Sequence, residues 1–182
     1  MLISKFPRLF VLLLWAPFIS FGGSKEISLE DIWKNGTFSS KSVAGWQPMS
    51  DGKHYTTLER SGENTCIVKF EYKTGKAVDT LVSASKLKSI LPEFDLENYD
   101  FSADEKQILI SGNSEPIYRH SSRSDYFVYR LSDRSLIGLS KGNKLMLAEF
   151  SPSGNQVAYI RDNNLFYKDL NTDKEFQISR DG

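Results

Sequence analysis

The 182-residue chain has one cysteine, Cys66, only two histidines, His54 and His120, and no surplus of either charge, with 23 Lys and Arg set against 23 Asp and Glu. A lone cysteine excludes an internal disulfide, a CxxC redox pair and a thiolate cluster for zinc. The two imidazoles are too far apart in the chain for a helical HExxH site, and no G-x-S-x-G elbow is present to carry a serine nucleophile. The acidic residues from Asp95 to Asp100, and Asp104 with Glu105, lack the ligand spacing of an EF-hand loop and are expected in solvated turns. An even mixture of signs also argues against a nucleic-acid partner, which phosphate neutralisation would have marked with a basic excess. No catalytic residue, metal or cofactor is therefore expected in this chain. Cys66 is expected as a small apolar residue of a strand.

Long apolar runs are almost as scarce. The one that occurs, Leu9 to Ile19, follows Lys5 and Arg8 and gives way to the small and polar residues from Ser20 to Ser24. That order of charged, apolar and small segments is that of a secretory signal peptide, expected over residues 1–22, with Ser20 and Gly22 as the small residues before cleavage. The run is short for a spanning helix and Pro17 interrupts it. A secreted or periplasmic protein is the expectation, and a membrane anchor formed by the same segment is the alternative.

Helices are few. Ser28 and Asp31 have capping-box spacing before Ile32 and Trp33, and Gly36 offers a stop, so a helix of about two turns is predicted in a lead-in over residues 23–44. A second is predicted from Ser85 to Leu91, ended by Pro92. The remainder alternates with period two. Three segments share a serine, a polar turn and an alternating strand: Met49 to Tyr55, Phe101 to Ile108, and Phe150 to Val157. Aligned on Gly52, Glu105 and Gly154 they repeat at spacings of 53 and 49 residues. A period near ~40–50 residues with all-β content is the signature of propeller blades.

The last repeat predicts strands at Leu145 to Phe150, Gln156 to Ile160, Leu165 to Leu170 and Glu175 to Ile178, separated by turn formers. The middle one predicts Tyr99 to Phe101, Gln107 to Ser111, Tyr126 to Leu131 and Leu136 to Leu139. The first predicts, more weakly, Trp46, His54 to Leu58, Cys66 to Tyr72 and Val78 to Val82. The fold class is thus all-β: an incomplete propeller of about three four-stranded blades, with bounds near 45–92, 93–141 and 142–182. Because three blades do not close a ring, the expectation is a chain truncated before the rest of a longer propeller. Blade faces bearing Phe127, Tyr129, Phe166 and Tyr167 are expected to lack neighbours.

One insertion breaks the repeat. Between the second and third strands of the middle blade, Gly112 to Ser124 form a long connection, predicted as a loop, that holds Tyr118, Arg119, His120 and Arg123. A long loop on a rigid scaffold is where binding residues tend to sit, and arginine is the planar fork suited to a carbonyl or carboxylate. On spacing alone, a solvated hairpin whose arginines meet nearby aspartates is the favoured reading.

The run Asn113 to Ser121 followed by Asp125 to Tyr129, then Phe150 to Gly154 and Arg161 to Phe166, resembles the N-terminal propeller of dipeptidyl peptidase IV enzymes, in the prolyl oligopeptidase family of serine peptidases. Ile27 to Ile32, with Thr37 and Phe38, resembles its bacterial members. The resemblance covers residues 27–182. It implies that Arg119, in the Arg-His-Ser motif, binds a substrate carbonyl, with His120 and Tyr118 beside it. It also implies that a glutamate pair for the substrate's free amino terminus and the α/β-hydrolase domain lie elsewhere in the whole enzyme, which would release dipeptides with Pro or Ala second and could be a homodimer. The alternative is a non-catalytic extracytoplasmic propeller that binds a protein or peptide, as TolB-like repeats do.

Overall fold

The aligned turn positions share one backbone conformation. Gly52, Glu105 and Gly154 take φ of 63°, 55° and 72°, the left-handed region that glycine enters without penalty and that other residues enter at a cost. Each such turn is tied to the strand it starts by the side chain that opens it. The Ser102 hydroxyl accepts from the Gln107 amide at 3.0 Å, and the Ser151 hydroxyl accepts from the Gln156 amide at 3.2 Å. In the first repeat the Asp51 carboxylate does this, accepting from the amides of Lys53 and His54 at 2.8 and 2.9 Å.

A computed structural model describes residues 26–40, 45–62 and 64–182; the expected signal over 1–22 lies outside them. Two compact units divide at Lys41. In the first, α1 (Leu29–Trp33) has the reciprocal cap read from the sequence: the Ser28 side chain accepts from the Asp31 amide, and the Asp31 carboxylate accepts from the Ser28 amide. Gly36, at φ 58°, follows it.

The second unit consists of three four-stranded antiparallel sheets in chain order. The first contains β1 (Gln47–Pro48), β2 (His54–Ser61), β3 (Asn64–Glu71) and β4 (Ala77–Val82). After α2 (Ala84–Ile90), stopped ahead of Pro92, come β5 (Leu96–Phe101), β6 (Gln107–Tyr118), β7 (Ser121–Arg130) and β8 (Leu136–Gly138). The third sheet contains β9 (Met146–Phe150), β10 (Gln156–Arg161), β11 (Asn164–Asp169) and β12 (Glu175–Gln177). Each sheet is a meander closed by the same long-range backbone bond between its two rim turns: Tyr72 to Lys53, Leu131 to Lys106 and Leu170 to Asn155, at 2.9, 3.0 and 2.9 Å. These are blades of a β-propeller.

The blades stack face to face because β6 is apolar on both faces. Ile108 and Ile110 share one core with Tyr99 of the same blade, Ile67 and Val82 of the first blade and Leu87 of α2; Leu109 and Val128 share the other with Val157 and Tyr159 of the third blade and with Leu145, which precedes it. Each buried aliphatic side chain stabilises this stack by about 1.5–3 kcal/mol. The Tyr99 hydroxyl donates to the Gly45 carbonyl at 2.8 Å and meets the Thr56 hydroxyl at 2.8 Å, fastening the first two blades. The inner turns are also linked: the Ser50 amide donates to Glu105, and the Gln107 side chain donates to the Gly154 carbonyl at 3.0 Å.

Two expectations are corrected. Tyr129 and Phe166 do not lie on bare faces but are buried, at 2% and 8% exposure, in the two cores between blades, and Phe127 packs edge-on against Phe94. The open face of the third blade carries Tyr167 stacked on Phe176, and that of the first carries Trp46, Tyr55 and Tyr72. The long loop expected between Gly112 and Ser124 is instead a continuation of β6 and β7. The backbone groups of that segment find partners across the hairpin, so a ladder is the lower-energy way to project thirteen residues from a sheet.

Candidate functional site

The β6–β7 hairpin is an arm. Its strands run 12 and 10 residues, against 8 and 8 for β2 and β3 and 6 and 6 for β10 and β11. The extra rungs project beyond the blade, and Arg119 and His120 are the two turn residues between the paired Tyr118 and Ser121. All three candidate residues are exposed, Tyr118 at 75%. Among the described residues Arg119 makes no hydrogen bond or ion pair, so its five N–H donors are free for a ligand. Arg123, by contrast, is engaged within the arm, donating from Nε to Glu115 at 2.9 Å.

Two irregularities aim the arm. Gly112 pairs with Asp125 and Glu115 with Arg123, so Asn113 and Ser114 together face Ser124, which makes a β-bulge; a second register shift lies between Pro116 and Tyr118. Asn113 occupies the left-handed region at φ 52°. Its side chain is engaged at both ends, donating to Asp125 at 3.0 Å and accepting from the Asp95 amide at 3.0 Å. Gly112 is required by contact: a Cβ there would sit 1.8 Å from the Asp95 carbonyl oxygen. Beside the bulge the hydroxyls of Ser114 and Ser124 meet at 2.7 Å, and Ser124 bonds Leu145 in both directions at 2.8 Å. Glu115 is held below the ordinary carboxylate range by Lys144, at 3.2 Å, and by Arg123.

A cleft of about 390 Å³ opens at the base of the arm, lined by Leu91, Phe94, Asn113, Asp125 and Phe127 among others; Arg119 does not line it. The structure thus brings Tyr118, Arg119 and His120 together at the arm tip. Sequence reasoning missed the groups that hold the arm, Asn113, Glu115, Asp125 and Lys144. Gly112 followed by Asn113 inside an apolar alternation is a bulge signal that was legible; the approach of Lys144, from a turn thirty residues away, was not. Among the described residues no group of three His, Cys, Asp or Glu side chains is placed to hold a metal, and no helix is long and apolar enough to cross a membrane.

A series of four-stranded antiparallel meanders in chain order is the architecture of a β-propeller. Residues 102–182 match the family model of the dipeptidyl peptidase IV N-terminal region. The structure is similar to dipeptidyl peptidase 4 of Porphyromonas gingivalis, with TM-score 0.74 and 39% identity over 88% of this chain and 22% of that one. A probable dipeptidyl-aminopeptidase B of Neurospora crassa is 26% identical over 90% of this chain and 19% of its own length, and human prolyl endopeptidase FAP is 30% identical over 87% and 20%. The chain spans about a fifth of the length of these relatives. It carries a dipeptidyl peptidase IV-like N-terminal propeller region.

Proposed function

We propose that the chain is the substrate-orienting wall of a secreted dipeptidyl peptidase IV-like serine exopeptidase, in which Arg119, with Tyr118 and His120 beside it, binds a carbonyl oxygen of a peptide with a free amino terminus. The observation that carries this reading is an exposed guanidinium, without a partner among the described residues, at the tip of an arm that the sheet extends by several rungs. Guanidinium donors match a carbonyl or carboxylate and lose little entropy on bonding it, because the fork is planar and preformed. The hydrolytic step, an acyl transfer through a serine, is assigned to an α/β-hydrolase domain of the whole enzyme. Release of dipeptides with Pro or Ala second, and any pairing of whole enzymes, belong to the same reading.

A charge-assisted bond to a carbonyl in a desolvated chamber is worth about 1.5–3 kcal/mol. Arg119→Ala in the full-length enzyme should therefore lower kcat/KM on a Gly-Pro chromogenic substrate roughly 10- to 150-fold. An unchanged kcat/KM would remove Arg119 from the site.

A further inference from the structure

Arg119 can orient a peptide only if the arm holds a fixed direction, and an isolated two-stranded ribbon is only marginally stable in water. The arm is braced from both sides, by the start of its own blade and by the connection to the next. On one side Asp95 and Glu97, which follow α2, bond Asn113 and the Ser114 amide, the latter at 3.2 Å. On the other side, Lys144 reaches back from the connection between the second and third blades. Its ammonium donates to the Asn113 carbonyl, at the bulge, and pairs with Glu115 at 3.2 Å, one rung further out. Glu115 in turn takes Arg123 from the opposite strand at 2.9 Å. Among the described residues Lys144 is thus the one ammonium that spans the bulge, and its own side chain is mostly covered, at 23% exposure.

Resting on the reading of Arg119 above, we propose that Lys144 is a positioning residue for substrate binding: it clamps the bulge at Asn113 and the first outer rung at Glu115, and so fixes where the Arg119 guanidinium meets the peptide. A clamp of this kind acts on how well the peptide is held, so its loss should appear in KM more than in kcat.

The test uses the full-length enzyme and a Gly-Pro substrate. Lys144→Met removes both contacts and keeps the apolar stem. The expected result is a loss of about 3- to 20-fold in kcat/KM, carried mainly by KM, as befits coupling between groups in one network. Lys144→Arg should recover most of it. In an Arg119→Ala background, Lys144→Met should cost less than about 2-fold, because the two residues act through one contact. Amide exchange of the arm, residues 114–122, should quicken while residues 107–111 keep their protection. If Lys144→Met fails to fold, Glu115→Gln, which removes the ion pair at a half-exposed position, must give the same pattern. Multiplicative losses in the double variant, or a normal kcat/KM for Lys144→Met beside a damaged Arg119→Ala, would overturn the clamp and leave Arg119 standing. A normal kcat/KM for Arg119→Ala would overturn both.

Discussion

Two residues show how differently a single position can be constrained. Glu105 accepts the left-handed backbone of a turn where the other two blades have glycine, and the strain is offset because its carboxylate accepts the Ser50 amide across the blade boundary. Gly112 is not there for its dihedral angles at all. The Asp95 carbonyl occupies the space a side chain would need, and backbone cannot swing aside as a flexible side chain can. Gly112→Ala should destabilise the chain by roughly 3 kcal/mol, read as a lower urea midpoint with an unchanged slope. It should also loosen the arm, since β5 and β6 part at that rung. Equal midpoints for variant and parent would show that β5 gives way freely. Arg119 lies at the other extreme: among the described residues no hydrogen bond or ion pair fixes its side chain.

At the scale of elements, the strands and both helices were legible because their signals are local. Alternation set β10 and β11, the Ser28 cap set α1, and Pro92 ended α2. The arm was misread as a loop because Gly112, Asn113 and Pro116 are strand breakers in isolation, and the ladder tolerates them only by bulging. The burial of Tyr129 and Phe166 was equally hidden, since which face of a strand meets a neighbour depends on stacking rather than on period. Ion pairing between strands was invisible for the same reason. Arg161 holds Glu175 with two bonds of 2.8 and 2.7 Å while lying over the Phe166 ring at 4.1 Å, and the Tyr159 hydroxyl adds a third bond to the same carboxylate. These donors, Arg161 first, lower the Glu175 pKa from its ordinary 4.5. A carboxylate depressed by folding contributes stability above its unfolded pKa and loses it as pH falls through the folded value. Glu175→Gln should therefore cost about 1 kcal/mol at pH 7, and the gap to the parent should narrow as pH falls from about 5 to 3. A gap independent of pH in urea melts would place the effect in packing instead of charge.

For the whole molecule, the middle blade is covered on both sides, whereas the first and third each present an open aromatic face: Trp46 and Tyr72 on one, Phe176 with Leu165 and Ile178 on the other. Apolar faces of this kind drive association in water. Residues 23–182 alone should sediment as oligomers at micromolar concentration, and a single monomer boundary across that range would contradict the expectation. The rims differ as well. The turns that begin with Ser50, Ser102 and Ser151 are bonded to one another from blade to blade, while on the opposite rim the hairpins differ in length. Reach is consequently adjustable on that second rim alone. Adding one residue to each strand of the arm would carry the guanidinium outward by about 3.4 Å and turn it to the other side, and adding two would restore its facing about 7 Å further out. The hairpin is thus a graduated ruler whose reach can be reset with the stack beneath it untouched.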